Sequence, residues 1–184
     1  MPFIKTDFPG LLIFEPKIFE DSRGYFFESY NAETFAADGH SIQFVQDNQA
    51  KSSYGVIRGL HYQLHPHSQT KLIRVLSGAI LDVVVDLRKG SPCFGQVFTL
   101  ELSAENKKQL LIPKGFAHGY SVLSDTAEVL YKCDAFYRKE TEGGILYNDP
   151  VLAIDWKIPP DRMAVSEKDT KYPCIKECIT NFTF

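Results

Sequence analysis

Apolar positions in this chain fall in short runs between frequent turn residues, a rhythm of strands rather than helices. Phe98, Leu100 and Leu102 alternate with Val97, Thr99 and Glu101, which is strand period. Residues 79–87 are almost continuously apolar, rich in Val and Ile and interrupted only by Asp82 and Asp86, as in a strand covered on both faces. Ser77 and Gly78 supply a turn between residues 72–76 and that run. Residues 44–45, 55–62, 109–112, 119–123, 128–133 and 144–147 are further strand candidates. Helix signals are few. Asn31 caps a short helix through Ala37 that ends near Gly39, and a second short helix begins at Ser166. Many close strands with little helix predict an all-β sandwich or barrel. With no repeat, low-complexity segment or linker, residues 1–184 read as one domain.

Composition narrows the function classes. With 44% hydrophobic and 23% charged residues the chain is globular rather than disordered. Twenty Lys and Arg against 23 Asp and Glu give a net charge of −3, with no basic tract, which argues against a nucleic-acid partner. Lys5, Asp7 and two prolines interrupt the apolar start, so residues 1–16 are no signal peptide. No run approaches eighteen apolar residues, so no membrane span is expected. Four cysteines (Cys93, Cys133, Cys174 and Cys178) are too few for a disulfide scaffold and read as reduced thiols of a cytoplasmic protein.

The chemistry concentrates in residues 58–71, which hold three of the five histidines, with Arg58 and Lys71 at the ends. A fourth, His118, closes the stretch Pro-Lys-Gly-Phe-Ala-His. His65 and His67 with His118 leave a metal reading open. Gly59, His65, His67 and Gly78 fall at the spacings of the first cupin motif, and Pro113, Gly115 and His118 resemble the second. Lys107 and Val122 replace the second motif's outer residues, and Lys71 stands where the first motif has its Glu ligand. An ammonium group repels a divalent cation and favours an anion, so an anion-handling cupin fits better than a metal one.

A longer ordered pattern is more specific. Residues 19–28 read Phe-Glu-Asp-Ser-Arg-Gly-Tyr-Phe-Phe-Glu, 44–48 Phe-Val-Gln-Asp-Asn and 55–63 Gly-Val-Ile-Arg-Gly-Leu-His-Tyr-Gln. Then come Lys71-Leu-Ile-Arg-Val, Asp86-Leu-Arg, Ser91-Pro-Cys-Phe-Gly, Pro113-Lys-Gly-Phe-Ala-His-Gly, Tyr131-Lys, Tyr147-Asn-Asp-Pro and Ser166-Glu-Lys-Asp. Over residues 3–173 the chain resembles the dTDP-4-dehydrorhamnose 3,5-epimerase family. The resemblance implies a cupin-type jelly-roll barrel with a few short helices, acting without metal or cofactor on a dTDP-4-keto-6-deoxy sugar. It also implies a homodimer with exchanged N-terminal strands, so that Arg23 and Glu28 serve the partner's site.

Carried over residue by residue, the resemblance makes His61 the base, Asp169 its carboxylate partner, Tyr131 the acid and Lys71 the group that offsets enolate charge. Arg23, Glu28, Gln46, Asp47, Asn48, Arg58, His118, Glu142 and Lys168 become substrate contacts, and Tyr137 stacks on the thymine. The residues themselves leave alternatives. Ser166 and Asp169 also read as a capping box, and a strand Tyr such as Tyr131 is as often core. Arg58 and His61, three apart, point to opposite faces of an ideal strand. If both line one pocket, the strand bulges, with Gly59 the obvious place. Runner-up functions are single-carbon epimerases or ketoisomerases of related sugars, a metal-dependent cupin enzyme and a non-catalytic sugar binder.

Overall fold

A computed structural model describes residues 2–184. In chain order its strands are β1 (Phe3–Lys5), β2 (Leu12–Phe14), β3 (Phe19–Asp21), β4 (Gly24–Phe26), β5 (Gln46–Ser53), β6 (Val56–Gln63) and β7 (Lys71–Ser77). After them come β8 (Ala79–Asp86), β9 (Val97–Ser103), β10 (Gln109–Ile112), β11 (Phe116–Val122), β12 (Thr126–Cys133), β13 (Glu142–Gly144) and β14 (Ala164–Val165). One sheet has the order β1-β2-β10-β7-β12-β5, the other β13-β6-β11-β8-β9, with β14 parallel to β6. The two sheets face each other as a cupin-type barrel. The hairpin β3–β4 pairs with neither sheet.

Three apolar layers explain why several strands read as continuous runs. Ile73, Val75 and Val129 of the first sheet meet Ile80, Val84 and Val122 of the second inside the barrel. The outer face of the second sheet, with Ile57, Leu81, Val83 and Val85, is covered by Ile145, Leu152, Trp156 and Phe182 of the C-terminal third. Helix α1 (Ala32–Ala37) covers Leu12, Phe14, Leu72 and Leu111 on the outside of the first sheet with Phe35. Its N-cap is Asn31, whose side chain accepts from the Glu33 and Thr34 amides. A strand covered on both faces has no polar face to show, which is the pattern of β8.

Three expectations shift. The strand expected at 44–45 runs from Gln46 to Ser53, a polar segment whose half-buried and exposed positions alternate. The strand expected at 144–147 lies at Glu142–Gly144, where the rings of Tyr62 and Tyr172 occupy the space that side chains at Gly143 and Gly144 would fill. The segment after Ser166 forms only a 3-10 turn, Asp169–Lys171. All four cysteines are free. Among the described residues no helix is long and apolar enough to cross a membrane.

Candidate active site

Regular alternation along β6 would separate Arg58 from His61, and the structure breaks it. His118 of β11 pairs with His61 but Tyr120 pairs with Arg58, so three steps on β6 match two on β11. Gly59 absorbs the difference at φ 126°, a conformation open essentially to glycine. A Cβ there would lie 2.5 Å from Gly119 Cα. The bulge turns Arg58 and His61 toward one cavity of about 520 Å³ inside the barrel, which Lys71, His118, Tyr120, Tyr131, Lys168 and Asp169 also line.

The second sheet supplies the wall with the histidines. His61 donates from Nε2 to Asp169 Oδ1 at 2.7 Å. A carboxylate only accepts, so this bond fixes the hydrogen on Nε2 and leaves Nδ1 for the cavity. Asp169 is itself placed by two contacts: its amide donates to Ser166 Oγ at 3.1 Å, and Oδ2 accepts from the Gly59 amide at 3.4 Å. Half of the capping box therefore forms, through Ser166, while the Asp169 carboxylate goes to His61. Burial pushes the Asp169 carboxyl up, but the His61 hydrogen bond and charge, with the Gly59 and Ser166 bonds, outweigh it and hold the group below the usual carboxylate range. His118 makes a second pair of this kind, Nε2 to Asp82 Oδ1 at 2.6 Å, and Asp82 is fully buried.

The facing wall belongs to β7 and β12 of the first sheet. Val129 and Cys133 are buried in the barrel, and Tyr131 between them on the same face reaches the cavity. Desolvation pushes its phenol up to about 12, helped by Cys133 and Tyr120 and opposed by Arg58. Lys71 lies half-buried across from Cys133, its ammonium 5.9 Å from the Tyr131 ring centre. Loss of water pulls its pKa down, against the field of Cys133, Asp82 and Glu142. Above Tyr120, Arg58 donates from Nε to Ser52 Oγ at 3.0 Å.

At the mouth, Lys168 Nζ reaches both oxygens of Glu142 at 2.6 Å, and Tyr137 donates its hydroxyl to Glu142 at 3.0 Å. Desolvation opposes but the Glu142 bond prevails, raising Lys168 to about 12. The Tyr137 amide donates to Gln46 Oε1, whose amide donates to Asn48.

The family model for dTDP-4-dehydrorhamnose 3,5-epimerase matches residues 5–177. The chain belongs to the dTDP-4-dehydrorhamnose 3,5-epimerase family. It is 54% identical over 170 residues to the dTDP-4-dehydrorhamnose 3,5-epimerase of Shigella flexneri, covering 92% of this chain and 93% of that one. The crystal structure of the Legionella pneumophila 3,5-epimerase in complex with dTDP-4-keto-L-rhamnose superposes with a TM-score of 0.90 at 47% identity, over 95% and 93% of the two chains. A double mutant of a 3'-monoepimerase from Streptomyces bikiniensis in complex with dTDP gives 0.87 at 33% identity, over 94% and 86%.

Not every residue expected from membership in this epimerase family reaches the cavity. Arg23 sits at the tip of the β3–β4 hairpin, 88% exposed and bound to Asp21 at 2.6 Å. Glu28 accepts from Asn31 beside α1. Asp47 points to the opposite face of β5 from Gln46 and Asn48, where it pairs with Lys132 at 3.0 Å. The cupin histidines do not converge either. His65 and His67 lie in the loop after β6 while His118 is held in the barrel by Asp82, and among the described residues no three His, Cys, Asp or Glu side chains group to hold a metal. Sequence reasoning missed Asp82, Tyr120, Ser52 and Tyr172, whose ring lies 5.6 Å from that of His61. Only Asp82 left a signal, as a charged break in the middle of an apolar run.

Proposed function

We infer that this chain inverts C3 and C5 of dTDP-4-dehydro-6-deoxy-D-glucose, giving dTDP-4-dehydro-L-rhamnose. The observation that carries the mechanism is the opposition of a His–Asp dyad on one wall to an unpaired phenol and ammonium on the other. His61 Nδ1 takes the proton next to the C4 ketone, and Asp169 offsets the imidazolium. Lys71 meets the charge that develops on the C4 oxygen, where loss of water strengthens the attraction. Tyr131 then gives its proton to the opposite face of the carbon. Its phenol, raised to about 12, is protonated near neutral pH and so carries the proton to be given. The chemistry needs no redox partner.

Arg58 is the cation best set to meet the pyrophosphate, with Lys168 beside it at the mouth. Gln46, Asn48, Tyr137, Glu142 and His118 complete the contacts, and Tyr137 stacks on the thymine. We propose that residues 1–184 act as one domain in a cytoplasmic homodimer. The outward hairpin, with Phe19, Tyr25 and Phe26 exposed, supports exchange of this segment, which would carry Arg23 and Glu28 to the partner's pocket. Asp47 would join the substrate through its backbone.

Incubation with dTDP-4-keto-6-deoxyglucose in deuterium oxide, read by proton NMR, tests the function. Exchange at both C3 and C5, unchanged by a chelator, is expected. Exchange at neither carbon overturns the reading. Exchange at one carbon favours the second reading, a single-carbon epimerase, which the likeness to the Streptomyces bikiniensis 3'-monoepimerase keeps in view.

A further inference from the structure

Residues 179–184 lie beyond the residues 5–177 that the family model matches, and they are stitched back onto the molecule. Phe182 enters the apolar layer outside the second sheet, its ring centre 6.0 Å from that of Tyr62. The Lys89 amide donates to Phe182 O and the Phe184 amide to Lys89 O, both at 3.0 Å. The Phe184 ring covers the Arg88 guanidinium at 5.0 Å. The side-chain hydrogen bonds of this tail go elsewhere, and among the described residues all of them land on residues 62 and 65. Tyr62 donates its hydroxyl to Ile179 O at 2.8 Å. Asn181 holds His65 from both sides, accepting from its amide at 3.0 Å and donating to its carbonyl at 2.9 Å. Residues 62 and 65 bracket Gln63 and Leu64, and these two carry the mouth segment. Gln63 Oε1 accepts from the Arg138 amide at 2.8 Å and from Thr141 Oγ1 at 3.1 Å, and the Leu64 amide donates to Thr141 O at 2.8 Å. Tyr137 and Glu142 stand at the two ends of that segment.

We propose that residues 179–184 are a strap that sets the grip of the mouth on the nucleotide end of the substrate, with Tyr62 and Asn181 as positioning residues. The proposal rests on the reading that Tyr137 and Glu142 meet the nucleotide. Tyr62, Gln63, Tyr137 and Glu142 line an annex of about 150 Å³ beside His61 and Lys71. The Tyr62 ring lies so close to Gly143 that a Cβ there would stand 2.3 Å from it, so the ring sets where β13, and with it Glu142, runs. Ile179 and Phe184 are 74% and 62% exposed, so the tail buries one large side chain, Phe182, and is no core element. Its effect falls on order. A mouth already held in place gives up less freedom when a ligand arrives, which strengthens binding without any new contact. Binding of that kind is shared by the ground and transition states, so it lowers KM and leaves kcat alone. His61 keeps its own place through Asp169 and the Gly59 bulge, neither of which the tail touches.

The test measures calorimetric dTDP binding, steady-state kinetics and melting temperature on the full chain, for wild type, Tyr62→Phe, Asn181→Leu and Phe184→Ala. Loss of one or two neutral hydrogen bonds is expected to weaken dTDP binding about 3- to 5-fold in Tyr62→Phe and about 10-fold in Asn181→Leu, with KM raised in parallel. In both variants kcat is expected to stay within about twofold of wild type. Phe184→Ala loosens the far end of the tail and is expected to bind dTDP as wild type does, even where its melting temperature falls. Unchanged dTDP affinity in Tyr62→Phe and Asn181→Leu overturns the proposal, and so does a fall in kcat with KM unchanged. A loss of affinity that follows melting temperature across all three variants also overturns it and leaves the tail a stabilising element only. If Asn181→Leu does not fold, Tyr62→Phe, which lacks a single oxygen, decides alone. If the wild type neither binds dTDP nor exchanges C3 and C5 protons, the epimerase reading fails rather than the strap.

Discussion

The two walls of the cavity hold their reactive groups by different means. On the histidine wall each ring is tied to a carboxylate, and Asp169 is tied in turn to the Gly59 amide and to Ser166. On the facing wall the Tyr131 hydroxyl and the Lys71 ammonium make no hydrogen bond to any described residue, and strand register and packing alone aim them. The difference matches the demands of the role proposed for each side. A base must keep one nitrogen bare in one fixed orientation, which a second hydrogen bond achieves. An acid and an oxyanion donor must stay free to bind charge that appears only during the reaction, so partners in the resting state would compete with it.

Substitutions can break this contrast, the largest effects coming from the chemistry itself. His61→Ala removes the proposed base and is expected to lower conversion by about 10³- to 10⁴-fold in single-turnover assays, with dTDP binding kept. Lys71→Met keeps the stem but removes the ammonium, for an expected loss of about 10²- to 10³-fold in kcat with little change in KM. Tyr131→Phe should cost about 10²-fold and, with the base intact, still permit exchange of the abstracted proton with solvent. Washout that outpaces inversion in this variant would sharpen the division into a base wall and an acid wall. Washout lost in step with inversion would dissolve it.

Two smaller effects probe how the histidine wall is held. Gly59→Ala places a methyl group against the Gly119 backbone in a conformation alanine avoids, and should destabilise the protein by about 2–3 kcal/mol in denaturant titration. Asp169→Asn tests the charge. The Asp169 pKa is depressed in the folded protein, so its contribution is fully present above the ordinary carboxylate pKa of about 4 and is lost as pH falls through the lower folded value. The melting-temperature advantage of wild type over Asp169→Asn should therefore shrink below about pH 4. An advantage that stays undiminished below that pH would contradict the electrostatics described for the dyad.

The barrel was legible where burial is continuous or strictly alternating, as in β7, β8, β9 and β12. It was not legible in β5, whose Gln-Asp-Asn-Gln-Ala-Lys-Ser-Ser is strand only because β12 pairs with it along its whole length. Missing that strand also hid the fact that Asp47 and its neighbours Gln46 and Asn48 look opposite ways. Asp82 was visible as an interruption but carried no meaning until its register neighbours were known, since only β11 brings His118 within reach. The parity conflict between Arg58 and His61 was plain in the sequence, and so was its remedy at Gly59. Arg23 marks another limit. Sequence says which residues travel together along the chain, whereas the pocket a hairpin serves is decided by which chain it packs on.

The irregularity at Gly59 also limits how this pocket can be copied. A barrel assembled from ideal strands has one fixed relation between residue number and facing, so transplanting the reactive side chains onto it position by position would leave either the guanidinium or the imidazole outside. The portable unit is the pair of glycines, 59 and 119, together with the residues they let turn inward. An engineer who moved the side chains without that hinge in the weave would obtain a barrel of the right composition with half a pocket.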